Sequence, residues 1–323
     1  MQFRTQIPIK KNSLPISYDS NIVSLGSCFA VNMGQKLEYY KFRNTINPFG
    51  ILFHPFAIEK IISFALNKKT FSKADIFFHN ELWHCFDAHS DLSSTDAESL
   101  INSLNTASLL LNEAVKSASH IIITLGTAWV YKHNEINETV ANCHKVPQKE
   151  FTKELLNPER IKQSLQNSIN MIREVNSNVQ VIFTVSPVRH IKDGFTENQW
   201  SKANLISAIQ NFIEQESSEY ITYFPSYEIM MDELRDYRFY NEDMIHPNQT
   251  AINYIWQRFT ESFINESCHK TMEDVASIQK SLLHRPFNPK SEQHKKFITK
   301  LNDKINVLQE QYPYITFKKM IHA

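Results

Sequence analysis

Cys28, Asp243 and His246 are side chains whose types and spacing can do covalent chemistry. Cys28 stands in Asn21–Ile22–Val23–Ser24–Leu25–Gly26–Ser27–Cys28–Phe29–Ala30, where a short apolar run ends in a small-residue turn and a helix is expected to start at once. In an α/β protein such a turn lies at the carboxyl end of a strand, where open sheets bind their ligands. A cysteine there meets the unpaired N–H groups of a helix N-terminus, whose partial positive charge favours a thiolate. Asp243 and His246 stand three residues apart in Asp243–Met244–Ile245–His246–Pro247, on a loop just ahead of a helix that Pro247–Asn248 would open. His246 can take a proton from Cys28, and Asp243 can fix the imidazole's tautomer, the division of labour of a catalytic triad. Ser27 is the competing nucleophile, or a cap for the helix. The plainer readings are a buried structural thiol for Cys28, a capping Asp243 and a surface His246.

Acyl chemistry also needs donors for a developing oxyanion. The chain keeps only five glycines, Gly26, Gly34, Gly50, Gly126 and Gly194. Average usage is about 7%, so those retained are expected where backbone geometry demands them. Gly26, Gly50 and Gly126 each end or follow an apolar segment. The N–H groups of Cys28, Gly50 and Gly126, with Thr127, are therefore the expected oxyanion hole. Ser27, Asn142, His144, Arg189 and His190 are the candidates for binding substrate. Lys202 reads most simply as one half of a surface salt bridge. His84, Cys85, His89, Cys143 and His144 are zinc-type ligands, but their spacing fits no metal motif, and no metal is expected.

The elements that must carry these groups follow from periodicity. Apolar or β-branched runs at Ile22–Leu25, His120–Leu125, Val179–Val185 and Tyr220–Phe224 predict strands, with Lys41–Ile46 a further strand and Ile76–Trp83 strands or a hairpin. Helices are expected over Phe29–Tyr40, Ile58–Leu66, Asp96–Lys116, Asn157–Val175, Ser201–Glu216 and Asn248–Phe263. Strand and helix in alternation argue a parallel, doubly wound sheet. From about residue 266 the pattern turns helical only, with Thr271–Leu283 and Ser291–Gln311 split by Arg285–Pro286–Phe287–Asn288–Pro289. Phe297, Leu301, Ile305 and Leu308 form one stripe, suited to packing on the main domain or, less simply, to a dimer contact. Two units result, a catalytic domain over 1–266 and a helical extension over 267–323.

Leu25–Gly26–Ser27–Cys28–Phe29–Ala30 resembles the signature of the GSCFA family, itself similar to the SGNH/GDSL hydrolases and related acyltransferases. The likeness continues through Asn47–Pro48–Phe49–Gly50, Thr124–Leu125–Gly126–Thr127, Thr184–Val185–Ser186–Pro187–Val188–Arg189–His190 and Asp243–Met244–Ile245–His246–Pro247. It covers roughly residues 20 to 260. The resemblance implies a three-layer α/β/α sandwich with a parallel, flavodoxin-like SGNH-hydrolase sheet. On the SGNH pattern Cys28 takes the nucleophile position, Ser27 the Asp position, Gly50 the second-block glycine, and Asp243 with His246 the last block. Ala128 stands where the oxyanion-hole Asn would be. A cysteine nucleophile forms a thioester, which suits transfer to an acceptor as well as hydrolysis. The expected function is hydrolysis or transfer of ester-linked acyl groups, possible carbohydrate esters among them. No cofactor is expected, with acyl-CoA a possible co-substrate. The alternative is a binding module that holds a carbohydrate or acyl ligand without chemistry, which the missing Asn favours.

Composition narrows the setting. The 323 residues are 42% hydrophobic, with 22 Phe and 12 Tyr, enough for a large core. Lys plus Arg and Asp plus Glu balance at 34 each, so bulk electrostatics point to neither nucleic acid nor an anionic membrane. No apolar run approaches the roughly 18 residues of a membrane span. The start of the chain has no signal-peptide pattern. Four scattered cysteines, Cys28, Cys85, Cys143 and Cys268, suit reduced thiols in a cytoplasmic protein. The oligomeric state is left open.

Overall fold

A computed structural model describes residues 5–317. Five strands form a wholly parallel sheet: β1 (Asn21–Gly26), β2 (Arg43–Ile46), β3 (His120–Leu125), β4 (Gln180–Val185) and β5 (Ile221–Phe224). Their spatial order is β2-β1-β3-β4-β5. The chain moves outward from β1 to β2, then returns to the other side of β1 for β3. The gap between the carboxyl ends of β1 and β3 is therefore the topological switch point, where sheets of this order bind ligands.

Alternation along the strands divides the core into two layers. Val23, Ile121, Ile123, Val181 and Phe183 face α2 (Pro55–Leu66), α3 (Ala97–Ser117), α4 (Pro158–Val175) and α5 (Phe195–Glu216). Ile22, Ile122, Ile182 and Phe224 face α1 (Cys28–Tyr39), α6 (Gln249–Phe263), α7 (His269–Leu282) and α8 (Glu292–Gln311). Every residue of β3 and β4 is buried, as strands covered on both faces must be. The result is the expected three-layer α/β/α sandwich.

Most helices begin where their caps dictate. Asn157 accepts the Arg160 N–H at 2.9 Å ahead of Pro158, and Asn248 accepts the Ala251 N–H at 3.1 Å ahead of α6. Two helices start earlier than the apolar periodicity indicates. Helix α2 gains Pro55 in its first turn, with His54 Nδ1 accepting the Ala57 N–H at 3.1 Å. Helix α5 begins at Phe195, so Ser201 and Lys202 lie within it and do not open it. Its polar first turn, Thr196–Glu197–Asn198, hides the start. A small antiparallel sheet, with 129–133 between 139–140 and 151–155, went unanticipated. Its strands are short and half-buried, so charged residues blur their alternation.

The C-terminal helices pack on the sheet's own domain. Leu301 and Leu308 are buried, with Phe297 and Ile305 against the same core as Ile16, Phe29 and Trp256. Tyr312 lies 4.9 Å from Tyr18 between ring centroids, and Tyr314 donates its hydroxyl to the Tyr18 carbonyl at 2.7 Å.

Strand β1 ends at Gly26, whose φ is +130°. A Cβ there would lie 2.1 Å from the Thr124 carbonyl oxygen of β3. Gly26→Ala is expected to cost ~2 kcal/mol or more, from a strained backbone plus a clash with a neighbouring strand. Urea unfolding measures this, and a variant as stable as the parent contradicts the packing described.

Candidate active site

The turn after β1 is bound to its neighbours on three sides. The Asn47 side-chain amide pairs with Gly26, accepting its N–H at 2.8 Å and donating to its carbonyl at 3.1 Å. The Ser27 N–H donates to the Thr124 carbonyl at 3.0 Å, and the Leu52 N–H to the Gly26 carbonyl at 3.0 Å. Cys28 is thereby held as the first residue of α1, half-buried. Burial pushes its thiol up, while the Lys202 charge and the N–H groups of Phe29 and Cys28 pull it down. Burial wins, so the helix N-terminus alone does not produce the expected thiolate. Ser27 is fully buried, its hydroxyl does not cap α1, and its Oγ has no hydrogen-bond partner among the described residues.

The structure brings Asp243 and His246 together. Asp243 Oδ2 lies 2.6 Å from His246 Nδ1, and Oδ1 accepts the N–H groups of Ile245 at 2.8 Å and His246 at 3.0 Å. Met244 adopts φ +57° to close this loop. The two backbone N–H bonds and then the ring hold the Asp243 carboxyl down to about 2. This geometry makes Nδ1 the protonated nitrogen and leaves Nε2 for exchange. The pair is exposed at the rim, and no hydrogen bond joins the His246 ring to Cys28 among the described residues.

Arg189 and His190 lie between the strand ends and this loop. Arg189 donates from Nη2 to the Met244 carbonyl and from its backbone to the Ile245 carbonyl at 3.3 Å, with its guanidinium 4.5 Å from the Tyr240 ring centroid. These contacts tie Arg189 to the Asp243–His246 loop. The His190 ring packs edge-on against Phe53, and its Nε2 is buried with no hydrogen-bond partner among the described residues. Burial, then the charges of Lys202 and His246, push it down to about 3, so it stays neutral.

The expected oxyanion hole is largely filled by the protein itself. The Gly50 N–H donates to the Asn47 carbonyl at 2.7 Å. The N–H groups of Gly126 and Thr127 both donate to the Phe53 carbonyl, at 2.7 and 3.0 Å. Thr127 Oγ1 accepts from the Trp129 N–H at 3.0 Å and pairs with Ser201 Oγ at 3.1 Å, and Ser201 also accepts the Ala128 N–H at 2.7 Å. Gly50 and Gly126 are close-approach residues here, not free donors. A Cβ on Gly50 would lie 2.4 Å from that of His89, and one on Gly126 would lie 3.2 Å from that of Ser27. Of the expected set only Cys28 keeps an N–H turned toward the sulfur, and Phe29, not anticipated, adds a second.

Asn142 and His144 serve the loop that carries them. Asn142 Oδ1 accepts the His144 N–H at 2.8 Å, and His144 Nε2 lies 2.7 Å from the Cys85 carbonyl. Burial pushes His144 down to about 4. No three His, Cys, Asp or Glu side chains converge as a metal site among the described residues.

Lys202 overturns the reading of a surface salt bridge. It is 1% exposed, and its Nζ donates to the Gly126 carbonyl at 2.8 Å and the Ser186 carbonyl at 2.7 Å. Burial pushes it down to about 7, and Cys28 raises it. A signal was present, because Lys202 falls on the same stripe of α5 as buried Leu205, Ile209 and Phe212. Thr124 Oγ1, in β3 beside the turn, is buried with no hydrogen-bond partner among the described residues.

Fold and site together define a doubly wound α/β/α protein with polar side chains collected at the β1/β3 switch point. The chain belongs to the GSCFA family, whose profile matches residues 21–259. The profile described as the GSCFA domain protein, C-terminal domain, matches residues 275–323. No curated protein matches the chain. Three solved structures bear a distant similarity. An acetyl esterase mutant crystallised with acetate ion is 15% identical at TM-score 0.28, over 49% of this chain and 60% of that one. An acetyl xylan esterase from the rumen bacterium Butyrivibrio proteoclasticus is 14% identical at 0.28, over 45% and 36%. A carbohydrate esterase family 3 protein from Talaromyces cellulolyticus is 10% identical at 0.35, over 78% and 98%. The match thus spans less than two thirds of the first two proteins.

The depressed Asp243 carboxyl sets a pH expectation. A carboxylate held below its ordinary value of about 3.9 keeps its contacts above that pH and loses them only as pH falls through its folded value. The hydrogen-bonded His246 Nδ1 proton, followed by NMR, is therefore expected to persist at about pH 3.5. It is expected to be absent at every pH in Asp243→Asn if the carboxylate is what holds it. Loss already above about pH 4 contradicts the assignment.

Proposed function

We propose that this protein transfers or hydrolyses ester-linked acyl groups through a thioester on Cys28. The carrying observation is the Asp243–His246 pair, joined at 2.6 Å and tethered by Arg189 to the same sheet end that presents Cys28 at the start of α1. In this reading Cys28 Sγ attacks the acyl carbonyl carbon and the alcohol leaves with a proton. The acceptor, water or a second alcohol, then cleaves the thioester. His246 Nε2 handles the protons at the departing and arriving oxygens, and Asp243 balances the imidazolium. The N–H groups of Cys28 and Phe29 supply the oxyanion donors. The proposed substrates are small or carbohydrate acyl esters, with acyl-CoA as an alternative donor.

A second reading, a non-catalytic module for a carbohydrate or acyl ligand, draws on the filled donors at Gly50, Gly126 and Thr127. The two readings separate by mass. After exposure to an activated acetyl ester or acetyl-CoA, intact-mass analysis is expected to show one acetyl adduct, mapped to Cys28 and absent in Cys28→Ala. His246→Ala is expected to slow turnover of the adduct by about 10²-fold or more. No adduct with any activated ester favours the binding module.

A further inference from the structure

Lys202 has no assigned part in the chemistry above, and its surroundings are unusual for a lysine. A buried ammonium needs a counter-charge, and without one it tends to lose its proton. Lys202 forms no ion pair among the described residues, and its two hydrogen bonds go to backbone carbonyls. The titratable or charged groups facing it are Cys28 from α1, His190 from the loop after β4, and the Tyr227 ring, 5.4 Å from Nζ. His190 stays neutral, and burial pushes the Tyr227 phenol up to about 12. Cys28 is thus the acid among them whose ionisation can offset the ammonium. One residue links the two groups, since Gly126 takes the Nζ bond on its carbonyl and leaves room for no side chain beside Ser27, next to Cys28: a Cβ there would lie 3.2 Å from that of Ser27.

We infer that Lys202 and Cys28 form a coupled charge pair, in which Lys202 is the positioning residue that makes the thiolate attainable. The inference gives the proposed nucleophile its means of ionisation, and so rests on that reading for its purpose.

The pair has two balanced states, thiol with amine and thiolate with ammonium. The mixed states each leave one uncompensated buried charge. The amine form suits the site, because its two N–H groups satisfy the Gly126 and Ser186 carbonyls and a lone pair remains. Passing to the charged state breaks the S–H bond and forms an N–H bond, with no change in net charge. When sulfur then bonds to the acyl carbon its charge disappears. The ammonium is left without a counter-ion and releases its proton, which balances the departing alkoxide.

Two measurements test the pair, and neither needs an acyl substrate. The first is the pH–rate profile for alkylation of Cys28 by iodoacetamide, read by peptide mass. In Lys202→Met the inflection is expected to rise by about one unit or more, slowing alkylation near neutral pH about tenfold. The second uses reciprocity, since whatever Lys202 does to Cys28, Cys28 must do to Lys202. The Lys202 side-chain titration, followed by ¹³C NMR, is expected to fall to lower pH in Cys28→Ala. This arm decides the matter even if Lys202→Met does not fold. An unchanged Lys202 titration in Cys28→Ala, or an unchanged alkylation profile in folded Lys202→Met, overturns the pair. A Cys28 that takes an acyl group with no such coupling defeats this inference alone. Coupling without any acyl adduct defeats the proposed reaction and leaves the pair standing.

Discussion

The architecture of the site depends on how closely β1 and β3 approach where the chain leaves β1. At Gly26 no Cβ fits against the Thr124 carbonyl, and Asn47 grips both polar groups of that peptide. This contact fixes the direction in which the backbone turns out of the sheet. It thereby fixes where Ser27 is sealed in and where Cys28 begins α1. The Phe53 carbonyl then draws in the Gly126 and Thr127 N–H groups, so the loops after β1, β2 and β3 are bound into one unit. A sulfur standing on such a unit has little positional freedom, which is what an attacking atom requires.

Rigidity of this kind removes donors as it builds. Each small-residue turn that looks available for an oxyanion becomes satisfied when it packs on the next. Among the described residues, Ser27 Oγ, Thr124 Oγ1 and His190 Nε2 are buried here without a hydrogen-bond partner. Asp243 and His246 differ in kind, being exposed, locally closed and attached to the sheet through Arg189.

The sequence discloses this structure unevenly, for physical reasons. Strands β3 and β4 are legible because burial on both faces demands unbroken β-branched runs, and α4 and α6 because their caps are local. The Asp243–His246 contact is local too, needing only three residues and one left-handed backbone angle at Met244. The fate of the Gly50, Gly126 and Thr127 N–H groups is not local, since their acceptors depend on how separate loops meet. Lys202 was masked by its residue type, although its place on the α5 stripe spoke for burial. The 129–155 sheet was masked because half-buried strands carry charges along with their apolar residues.

The two segments matched by the family profiles share one apolar seam. Phe29 and Trp256 from the sheet domain meet Met272, Val275, Ile278, Leu301 and Leu308 from the C-terminal helices. Helix α1, which presents Cys28 at its first turn, lies under that cover. A chain ending near residue 260 would bare a broad greasy surface along α1 and α6, of the sort that makes proteins self-associate. The apolar face of α1, whose first residue is Cys28, is therefore covered in part by helices from the far C-terminal end of the chain.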